Sequence, residues 1–276
     1  MMKPLTDFQQ EVASNISALS EAHDLQQLSL TWLRNTLPYR YSYNFEWLGR
    51  PIIQYPQDIV AMQELIWRVK PDLVIETGIA HGGSLIMSAS MLALLDYCDA
   101  VESHSLLDPR AARRRVLGID IDIRPHNRAA IEAHPMSSRI IMLQGSSIAP
   151  DVIDEVRKIA SPYERIIVCL DSNHTHDHVL SELQAYAPLV SVDSYCIVFD
   201  TVIDQLPATL FGDRPWARGN SPMTAATTFL STLTQHHIDA RDGKRLAFEV
   251  DAAIDSKLLI SVAPRGYLRR VSPAPE

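Results

Sequence analysis

Short continuous apolar runs alternate with segments of helical spacing along most of this chain. The apolar runs predict five strands, at residues 72–76, 115–122, 139–144, 165–171 and 194–200. Apolar positions three or four residues apart predict helices at 59–69, 84–95, 127–133, 151–159, 176–187 and 224–236. Because such strands are buried on both faces, we predict a doubly wound, Rossmann-like α/β fold with a mostly parallel sheet. Ligands of this fold bind at the carboxyl ends of the strands.

The first fifty residues follow a different pattern. Helical spacing over 6–36 predicts two helices. The aromatic, turn-like tail at 38–58, with aromatic residues at every second position from Tyr39 to Trp47, predicts an extended arm. The arm is either a strap packed on the main domain or on a partner subunit, which we favour, or part of a substrate wall. We divide the chain into an N-terminal helical segment with its aromatic arm, 1–50, and a main domain, 51–276. Residues 245–250 and 257–262 predict a closing pair of strands.

Composition narrows the class of protein. The 276 residues carry a formal charge of −8, with 46% apolar and 21% charged residues, as in globular enzymes. The acidic balance argues against a nucleic-acid partner, which needs a clustered basic surface. We expect no membrane span, because no apolar stretch has the necessary length, and no signal peptide. Three cysteines without a C-x-x-C pair indicate reduced thiols and a cytoplasmic protein.

A glycine loop, E-T-G-I-A-H-G-G-S, follows the first predicted strand. It matches neither G-x-G-x-x-G nor a nucleotide-triphosphate loop. Gly78 permits a tight turn, and Ser84 can cap the next helix. Because Glu76 would repel a phosphate, it favours a ligand with a positive end, such as the amino group and sulfonium of S-adenosylmethionine. The loop residues expected at the cofactor are Glu76, Gly78, His81, Gly82, Gly83 and Ser84.

The next two strands end in polar residues that extend this site. Asp120 and Asp122 close the second strand, where an acid can accept hydrogen bonds from both ribose hydroxyls. Asp122 is the better candidate, because it lies at the extreme end of the predicted strand. The third strand runs into Gln144 and Ser146, where adenine can dock. This order of loop, acid and polar strand end favours a class I methyltransferase over a glycine turn with surface acids.

Acids and histidines crowd the ends of the fourth and fifth strands. Asp171 and Asp200 would converge there and hold Mg²⁺, which prefers oxygen ligands. His174 can take the proton of an acceptor hydroxyl. Two alternatives remain: Asp171 only caps the following helix, or the cluster binds zinc, although no cysteine lies nearby. We place His176 and His178 on the surface of that helix.

Together these motifs resemble the family named for cephalosporin hydroxylase, which also contains rhamnosyl O-methyltransferases. ETGIAHGGS, GIDIDIR, LDSNHTHDHV and RPWARGNSP carry the resemblance, which runs from about residue 44 to about residue 265. It implies an S-adenosylmethionine methyltransferase fold and methylation of sugar hydroxyls. Related sugar O-methyltransferases have a Mg²⁺-binding Asp at the end of the fourth strand, matching Asp171, and a general-base His three residues later, matching His174.

The chain departs from this family at the end of the fifth strand, where Phe199 and Asp200 replace a tandem acid pair. Either Asn173 or Asp204 completes the metal site, or the metal is absent and His174 acts alone. The segment 213–220 is expected to form an active-site loop rather than a plain surface connection. The residues expected at the substrate are Trp216, stacking on a sugar face, Arg214 or Arg218, meeting an anionic group, and Asn220.

The predicted function is an S-adenosylmethionine-dependent O-methyltransferase with His174 as general base and assistance from Mg²⁺. Its acceptor is a hydroxyl of a sugar, a glycan or a glycosylated natural product, and we expect a homo-oligomer active in polysaccharide biosynthesis. The alternative is a non-catalytic or oxidoreductase-associated member of the same family. No nicotinamide or flavin motif supports an oxidoreductase.

Overall fold

A computed structural model describes residues 6–272 and contains a seven-stranded sheet between two layers of helices. The helices are α1 Asp7–Glu21, α2 His23–Thr36, α3 Pro56–Val69, α4 Gly83–Glu102, α5 Pro125–Glu132, α6 Pro150–Ala160, α7 His176–Tyr186, α8 Pro222–Gln235 and α9 Ala252–Leu258. The strands are β1 Phe45–Trp47, β2 Arg50–Ile52, β3 Leu73–Thr77, β4 Arg115–Asp120, β5 Ile140–Gln144, β6 Ile166–Leu170, β7 Tyr195–Val198, β8 Phe248–Val250 and β9 Tyr267–Arg270.

The strand order is β5-β4-β3-β6-β7-β9-β8, with the first five strands parallel and the last two antiparallel. The five predicted strands are β3 to β7, so the predicted mostly parallel sheet is confirmed. Strand order reverses beside β3, because the chain proceeds outward through β4 and β5 and then returns to β6 on the other side. A doubly wound sheet binds its ligands at such a reversal.

Both faces of the sheet are covered, which explains the continuous apolar strands. On β3, Leu73 and Ile75 pack into the core beneath α6, α7 and α8, whereas Val74 packs on the opposite face with residues of α3 and α4. Every residue of β3 and β6 is buried. These two central strands therefore have no solvent face on which polar residues would alternate.

The predicted closing strand pair is half correct. Residues 245–250 end in β8, but residues 257–262 do not form a strand, and β9 at Tyr267–Arg270 pairs with β8 instead. The buried Asp58 carboxylate accepts hydrogen bonds from the Ser261 hydroxyl at 2.6 Å and from the Val262 amide at 3.0 Å. Residues 257 and 258 are the end of α9. An amide that donates to a side chain cannot also join a strand ladder, so residues 259–262 form a loop tied to α3.

The predicted extended arm is wrong for residues 37–44, which form two short 3₁₀ turns, and β1 and β2 follow as a hairpin. Aromatic packing sets this shape: the Tyr41 ring lies 4.9 Å from Trp32 and 5.7 Å from Tyr55. Tyr55 and Leu33 join a small core with Val202 and Leu206. The arm therefore packs on the main sheet's ligand-binding end, and the division at residue 50 stays a prediction.

Helix α4 qualifies the expectation of no membrane span. By its length and composition, this helix of 20 residues, 83–102, could cross a bilayer. It extends well beyond Leu95, where the sequence predicted its end. Just over half of its most apolar window is buried inside the protein. A core helix under a parallel sheet meets the same criteria, so its burial against β4 and α3 accounts for the composition.

An ion network fastens the far end of α4 to the sheet. Asp96 accepts hydrogen bonds from Arg114 and Arg139, and all three side chains are at most 10% exposed. Arg114 also donates to Asp99 at 2.7 Å, a carboxylate that is 42% exposed. Asp96 is therefore the buried counter-ion of two guanidinium groups from outside its helix.

Replacing Asp96 with alanine tests this assignment. Asp96→Ala should lower the free energy of unfolding by about 3–5 kcal/mol, because it leaves buried guanidinium groups without their carboxylate. Asp99→Ala, one turn further along α4 and half exposed, should cost less than about 1 kcal/mol. Urea unfolding of both variants gives the comparison, and equal losses would contradict it.

Candidate active site

A cavity of about 610 Å³ opens at the carboxyl ends of β3, β6 and β7. Its floor contains the glycine loop after β3 and the three polar residues Asp171, His174 and Asp200. Its walls are mainly apolar and come from α2, the arm and the segment after β7. The wall residues include Leu33, Leu37, Tyr43, Tyr55, Val202, Leu206, Leu210 and Phe211. The arm thus packs on the main domain, the interpretation that we favoured, and also forms part of the cavity wall.

The glycines of the loop make room for protein backbone. Gly78 has φ +89°, and a Cβ there would lie 2.1 Å from the Asp171 carbonyl oxygen. A Cβ on Gly83 would lie 2.2 Å from the Pro51 carbonyl oxygen in the arm. Gly78, Gly83 and His81 line the cavity, whereas Gly82 packs against Ile131. These positions need glycine to bring the loop, β6 and the arm together, whatever ligand binds beside them.

The arm also fixes the loop through a buried polar clamp. The Arg50 guanidinium donates to the His81 carbonyl oxygen at 3.0 Å and to Asn127 Oδ1 at 3.1 Å. Asn127 Nδ2 in turn donates to the Ala80 carbonyl oxygen at 2.8 Å. Two consecutive loop carbonyls are therefore held by side chains from β2 and α5, and the loop is shaped before any ligand arrives.

Glu76 lies beneath the cavity rather than in its lining. The side chain is buried, and its carboxylate accepts a hydrogen bond from the Ser84 hydroxyl, which does line the cavity. Ser84 was expected to cap α4, but the cap residue is Gly82 and no side chain caps this helix. Burial raises the pKa of Glu76 to about 7, and the Ser84 hydrogen bond opposes that rise.

Asp120, Asp122 and Ser146 lie outside the cavity lining, along the sheet edge beyond the glycine loop. Asp120 Oδ2 accepts a hydrogen bond from the Ile79 amide at 2.8 Å, and Oδ1 accepts one from the Asp122 amide at 3.0 Å. Strand β4 ends at Asp120, two residues before its predicted end, and Asp122 is exposed beyond it. Asp120 thus shapes the loop, and the exposed Asp122 can meet solvent or a ligand.

Asp171, His174 and Asp200 come together on the cavity floor. One ligand atom from each lies within 4.8 Å of the others, and His174 Nε2 is 3.1 Å from Asp200 Oδ2. Gln54 Nε2 from the arm donates to Asp171 Oδ2 at 3.2 Å. Burial raises the pKa of Asp171 well above its ordinary value, and the nearby carboxylates of Asp200 and Glu76 raise it further. A cation would relieve this crowding of negative charge.

The loop 213–220 contributes two of its predicted residues to the cavity. The Trp216 ring meets the His174 ring edge-on at 4.8 Å, and the Arg214 guanidinium lies 4.9 Å from the Trp216 ring centre. Asn220 lies outside the lining: it accepts a hydrogen bond from the His176 amide at 2.8 Å and donates to the Pro215 carbonyl oxygen at 2.7 Å. Its amide is thus engaged in joining this loop to α7, which argues against substrate contact; Arg218 is exposed and also outside the lining.

The two residues offered as replacements for the missing acid have structural partners instead. Asn173 Oδ1 accepts a hydrogen bond from the Thr175 amide at 3.0 Å, in the turn before α7. Asp204 Oδ1 accepts hydrogen bonds from the Gly219 amide and the Ser221 hydroxyl. Asp204 does not belong to the cluster of Asp171, His174 and Asp200.

The placement of His178 on the helix surface is wrong. Its Nε2 lies 3.0 Å from the Ser147 hydroxyl and 3.2 Å from the Ser172 hydroxyl. Both hydroxyls also donate to the buried Glu182. The network joins the loop after β5 to the loop after β6, because α7 crosses beneath both strand ends. His176 is half-buried, with Nδ1 at 2.8 Å from the Thr224 hydroxyl.

Two residues of the arm, Arg50 and Gln54, contact the site but were not among the site residues predicted from the sequence. Both are polar residues in a stretch otherwise rich in aromatic and apolar side chains. That contrast is the one sequence signal by which they could have been found, since nothing in their spacing links them to the strand ends. Their role depends on the hairpin that turns the arm back over the glycine loop.

Comparisons with known proteins agree with this geometry. The family model for rhamnosyl O-methyltransferase/CmcI matches residues 39–271. A rhamnosyl O-methyltransferase of Mycobacterium bovis is 26% identical over 202 residues, covering 71% of this chain and 69% of the relative. One of Mycobacterium leprae is 26% identical over 172 residues, covering 62% of this chain and 66% of the relative.

Solved structures show the same fold. An apo-structure of CmcI superposes with a TM-score of 0.51 and 18% identity, covering 84% of this chain and 78% of that one. A CmcI structure with Mg and SAM also gives a TM-score of 0.51, with 16% identity and coverage of 83% and 78%. The chain therefore belongs to the rhamnosyl O-methyltransferase/CmcI family, which confirms the resemblance, the class I methyltransferase fold and the O-methyltransferase class predicted from its sequence.

Proposed function

We propose that this protein transfers a methyl group from S-adenosylmethionine to a hydroxyl of a sugar, a glycan or a glycosylated natural product. The convergence of Asp171, His174 and Asp200 on the floor of one cavity, beside the glycine loop, is the observation that carries the proposal. A base and carboxylates at this place suit removal of a hydroxyl proton next to a bound methyl donor. A cytoplasmic homo-oligomer and a role in polysaccharide biosynthesis stay predictions.

The cofactor would lie along the sheet from the cavity floor to Asp122 and Ser146. Its positive end would sit at Gly78 and Ser84, above the buried Glu76, where negative charge accumulates. The exposed Asp122 can accept hydrogen bonds from ribose hydroxyls, and such charge-assisted bonds are stronger than neutral ones. The related CmcI was solved with SAM, which supports the same cofactor here.

The carboxylates fit a hard divalent cation. Asp171 and Asp200 offer oxygen ligands of the kind that Mg²⁺ prefers, and His174 belongs to the same cluster. When bound there, Mg²⁺ would supply Lewis-acid polarisation of the acceptor hydroxyl. The CmcI structure with Mg supports this ion. No cysteine takes part in the cluster, so the oxygen-rich donor set argues against zinc.

His174 is the candidate base. The acceptor hydroxyl gives its proton to the imidazole while its oxygen attacks the methyl carbon of the sulfonium, and the carbon–sulfur bond breaks to leave S-adenosylhomocysteine. Asp200, 3.1 Å from His174 Nε2, stabilises the imidazolium that forms. The Trp216 ring packs in a T-shaped arrangement with the His174 ring, which restricts rotation of the imidazole.

The residues of the cavity wall indicate the kind of acceptor that would fit. Trp216 offers an aromatic edge and face beside the base, with Arg214 at its far side. Leu37, Tyr43 and Phe211 give the opposite wall an apolar character. A sugar carried on an apolar group would satisfy both walls, which favours a glycosylated natural product among the predicted acceptors.

Cofactor binding should depend on pH through Glu76. Because its pKa is about 7 in the ligand-free protein, Glu76 is neutral below that pH and ionised above it. A positively charged ligand favours the ionised form, so affinity should rise through pH 7 by up to about tenfold per pH unit and then level off, with proton release on binding. Calorimetry with S-adenosylmethionine on either side of pH 7 measures both.

Glu76→Gln should remove this pH dependence, whereas Glu132→Gln, an exposed carboxylate of α5, should preserve it. S-adenosylhomocysteine should also raise the melting temperature, because it binds the native state. Tight NAD binding without any response to S-adenosylhomocysteine would refute the cofactor assignment.

The role of His174 can be separated from binding. His174→Ala should lower kcat by roughly 10²–10⁴-fold while cofactor affinity stays nearly unchanged, since general-base catalysis acts in the transition state. His176→Ala is the matched control, because its ring bonds Thr224 outside the cavity. Near-normal kcat in His174→Ala would move the base to another residue, with Asp171 the next candidate.

The metal requirement has its own test. Exhaustive chelation should abolish turnover, and added Mg²⁺ should restore it, because the ion stabilises charge on the acceptor oxygen. Asp200→Asn should raise the Mg²⁺ concentration needed for half-maximal rate, whereas Asp213→Asn on the neighbouring exposed loop should not. Full activity after chelation would show that His174 acts without a metal.

A further inference from the structure

Of the two polar atoms in the Gln54 side-chain amide, the structure of residues 6–272 gives a hydrogen-bond partner to the nitrogen but not to the oxygen. Its Nε2 donates to Asp171 Oδ2 at 3.2 Å. Its Oε1 is buried and has no hydrogen-bond partner among the described residues 6–272. Buried polar atoms are nearly always paired, and an exception indicates a missing water, an ion or a functional role. Gln54 is 7% exposed, so bulk solvent does not satisfy this oxygen.

Gln54 lies between two cavities and lines both of them. Gln54 lines the large cavity with Asp171, His174 and Asp200. It also lines a small inner cavity of about 20 Å³ with Asp58, Glu76 and Phe199. Phe199, directly before Asp200, is apolar and 5% exposed, so the end of β7 offers a single carboxylate. A third oxygen ligand at this floor must come from another segment.

We infer that Gln54 is the third protein oxygen ligand of a divalent-cation site formed with Asp171 and Asp200. The inference rests on the proposed function, because it concerns the cation that the O-methyltransferase would hold. Amide carbonyl oxygens of Asn and Gln are established ligands for hard cations, alongside carboxylates. The ligand would come from the arm, on the opposite side of the floor from β7.

The distances agree with this role once the amide is turned. Oxygen and nitrogen of a Gln amide are exchanged by a half-turn of the terminal group, and their assignment follows from the hydrogen bonds. After that turn, Oε1 lies 3.2 Å from Asp171 Oδ2. Adjacent ligands of an octahedral Mg²⁺ with bonds of 2.0–2.1 Å lie about 3.0 Å apart. The two oxygens are thus spaced to share one ion.

The turn also changes the buried end of the amide from an acceptor to a donor. The NH₂ group moves to the position where the carbonyl oxygen now has no partner. The inner cavity there is lined by Asp58 and Glu76, whose carboxylate oxygens are acceptors. Because the residues that line this cavity with Gln54 include two carboxylic acids, an NH₂ group suits the buried end of the amide better than a carbonyl oxygen.

The charge of the site supports a neutral third ligand. Two carboxylates already balance a divalent cation. Asp171 also lies near Glu76, Glu182 and Asp58, each of which adds negative charge. A further carboxylate in this region would increase repulsion in the cation-free protein, whereas an amide oxygen adds a ligand without adding charge.

Direct binding of Mn²⁺ and Mg²⁺ to the full chain, by calorimetry and by the Mn²⁺ paramagnetic resonance signal, tests the inference without turnover. Gln54→Ala should weaken binding by at least the roughly 10-fold that loss of an outer-shell partner alone costs. Gln54→Glu, which preserves the shape of the side chain, should bind the ion more tightly, because charged ligands raise affinity. Gln57→Ala is the matched control, because it makes the same truncation three residues further along the chain, in a side chain that lines neither cavity.

The outcomes separate this inference from the proposed function. Weaker binding in Gln54→Ala, tighter binding in Gln54→Glu and unchanged binding in Gln57→Ala support it. Wild-type binding that survives both Gln54 substitutions overturns the inference and leaves the metal site with Asp171 and Asp200. Absence of any ion binding by the wild type overturns the inference together with the metal part of the function, while the response to S-adenosylhomocysteine still tests the methyltransferase.

Discussion

Crowding of carboxyl groups at the strand ends is the constraint on which the rest of the site depends. Asp171 is half-buried and lies near Asp200, Glu76, Glu182 and Asp58, all of which oppose its ionisation. The protein offsets part of this cost with neutral donors, such as Ser84 for Glu76 and Ser261 for Asp58. What these donors do not supply is positive charge. A sulfonium ligand and a divalent cation would both supply it, so one electrostatic feature favours both predicted ligands.

The second constraint is the close approach of distant segments around the glycine loop. Gly78 allows the loop to meet the backbone of Asp171, and Gly83 allows it to meet the arm at Pro51. Arg50 then holds the loop from the side of the arm. These contacts hold the loop, β6 and the arm together at the cavity floor. Preorganisation of this kind reduces the reorganisation needed during the reaction.

Most polar residues of the strand-end loops are used to support one another. Asp120 holds the glycine loop, Asn220 holds α7, and His178 joins the loops after β5 and β6 through Ser147. In the sequence each of them resembles a ligand-binding residue, because short polar side chains at strand ends serve both purposes. The residues that remain free for chemistry are those that face the cavity, and Asp171, His174 and Asp200 are the chemical core of that set.

The sequence alone determined the sheet, its order of alternating strands and helices, and the cluster at the ends of β6 and β7. Continuous apolar runs can be satisfied only by strands buried on both faces, and the parallel arrangement then places Asp171 and Asp200 at one edge. Local pattern also located His174 and the glycine loop.

Only the tertiary structure decided which segments cover that edge. The aromatic alternation of the arm predicted an extended segment. Ring packing of Tyr41 against Trp32 and Tyr55 instead favours 3₁₀ turns followed by a hairpin. The hairpin carries Gln54 to Asp171, 117 residues away in sequence. The loop at 259–262 depends likewise on the distant Asp58. Such contacts arise from packing between segments far apart in the chain, and no local periodicity encodes them.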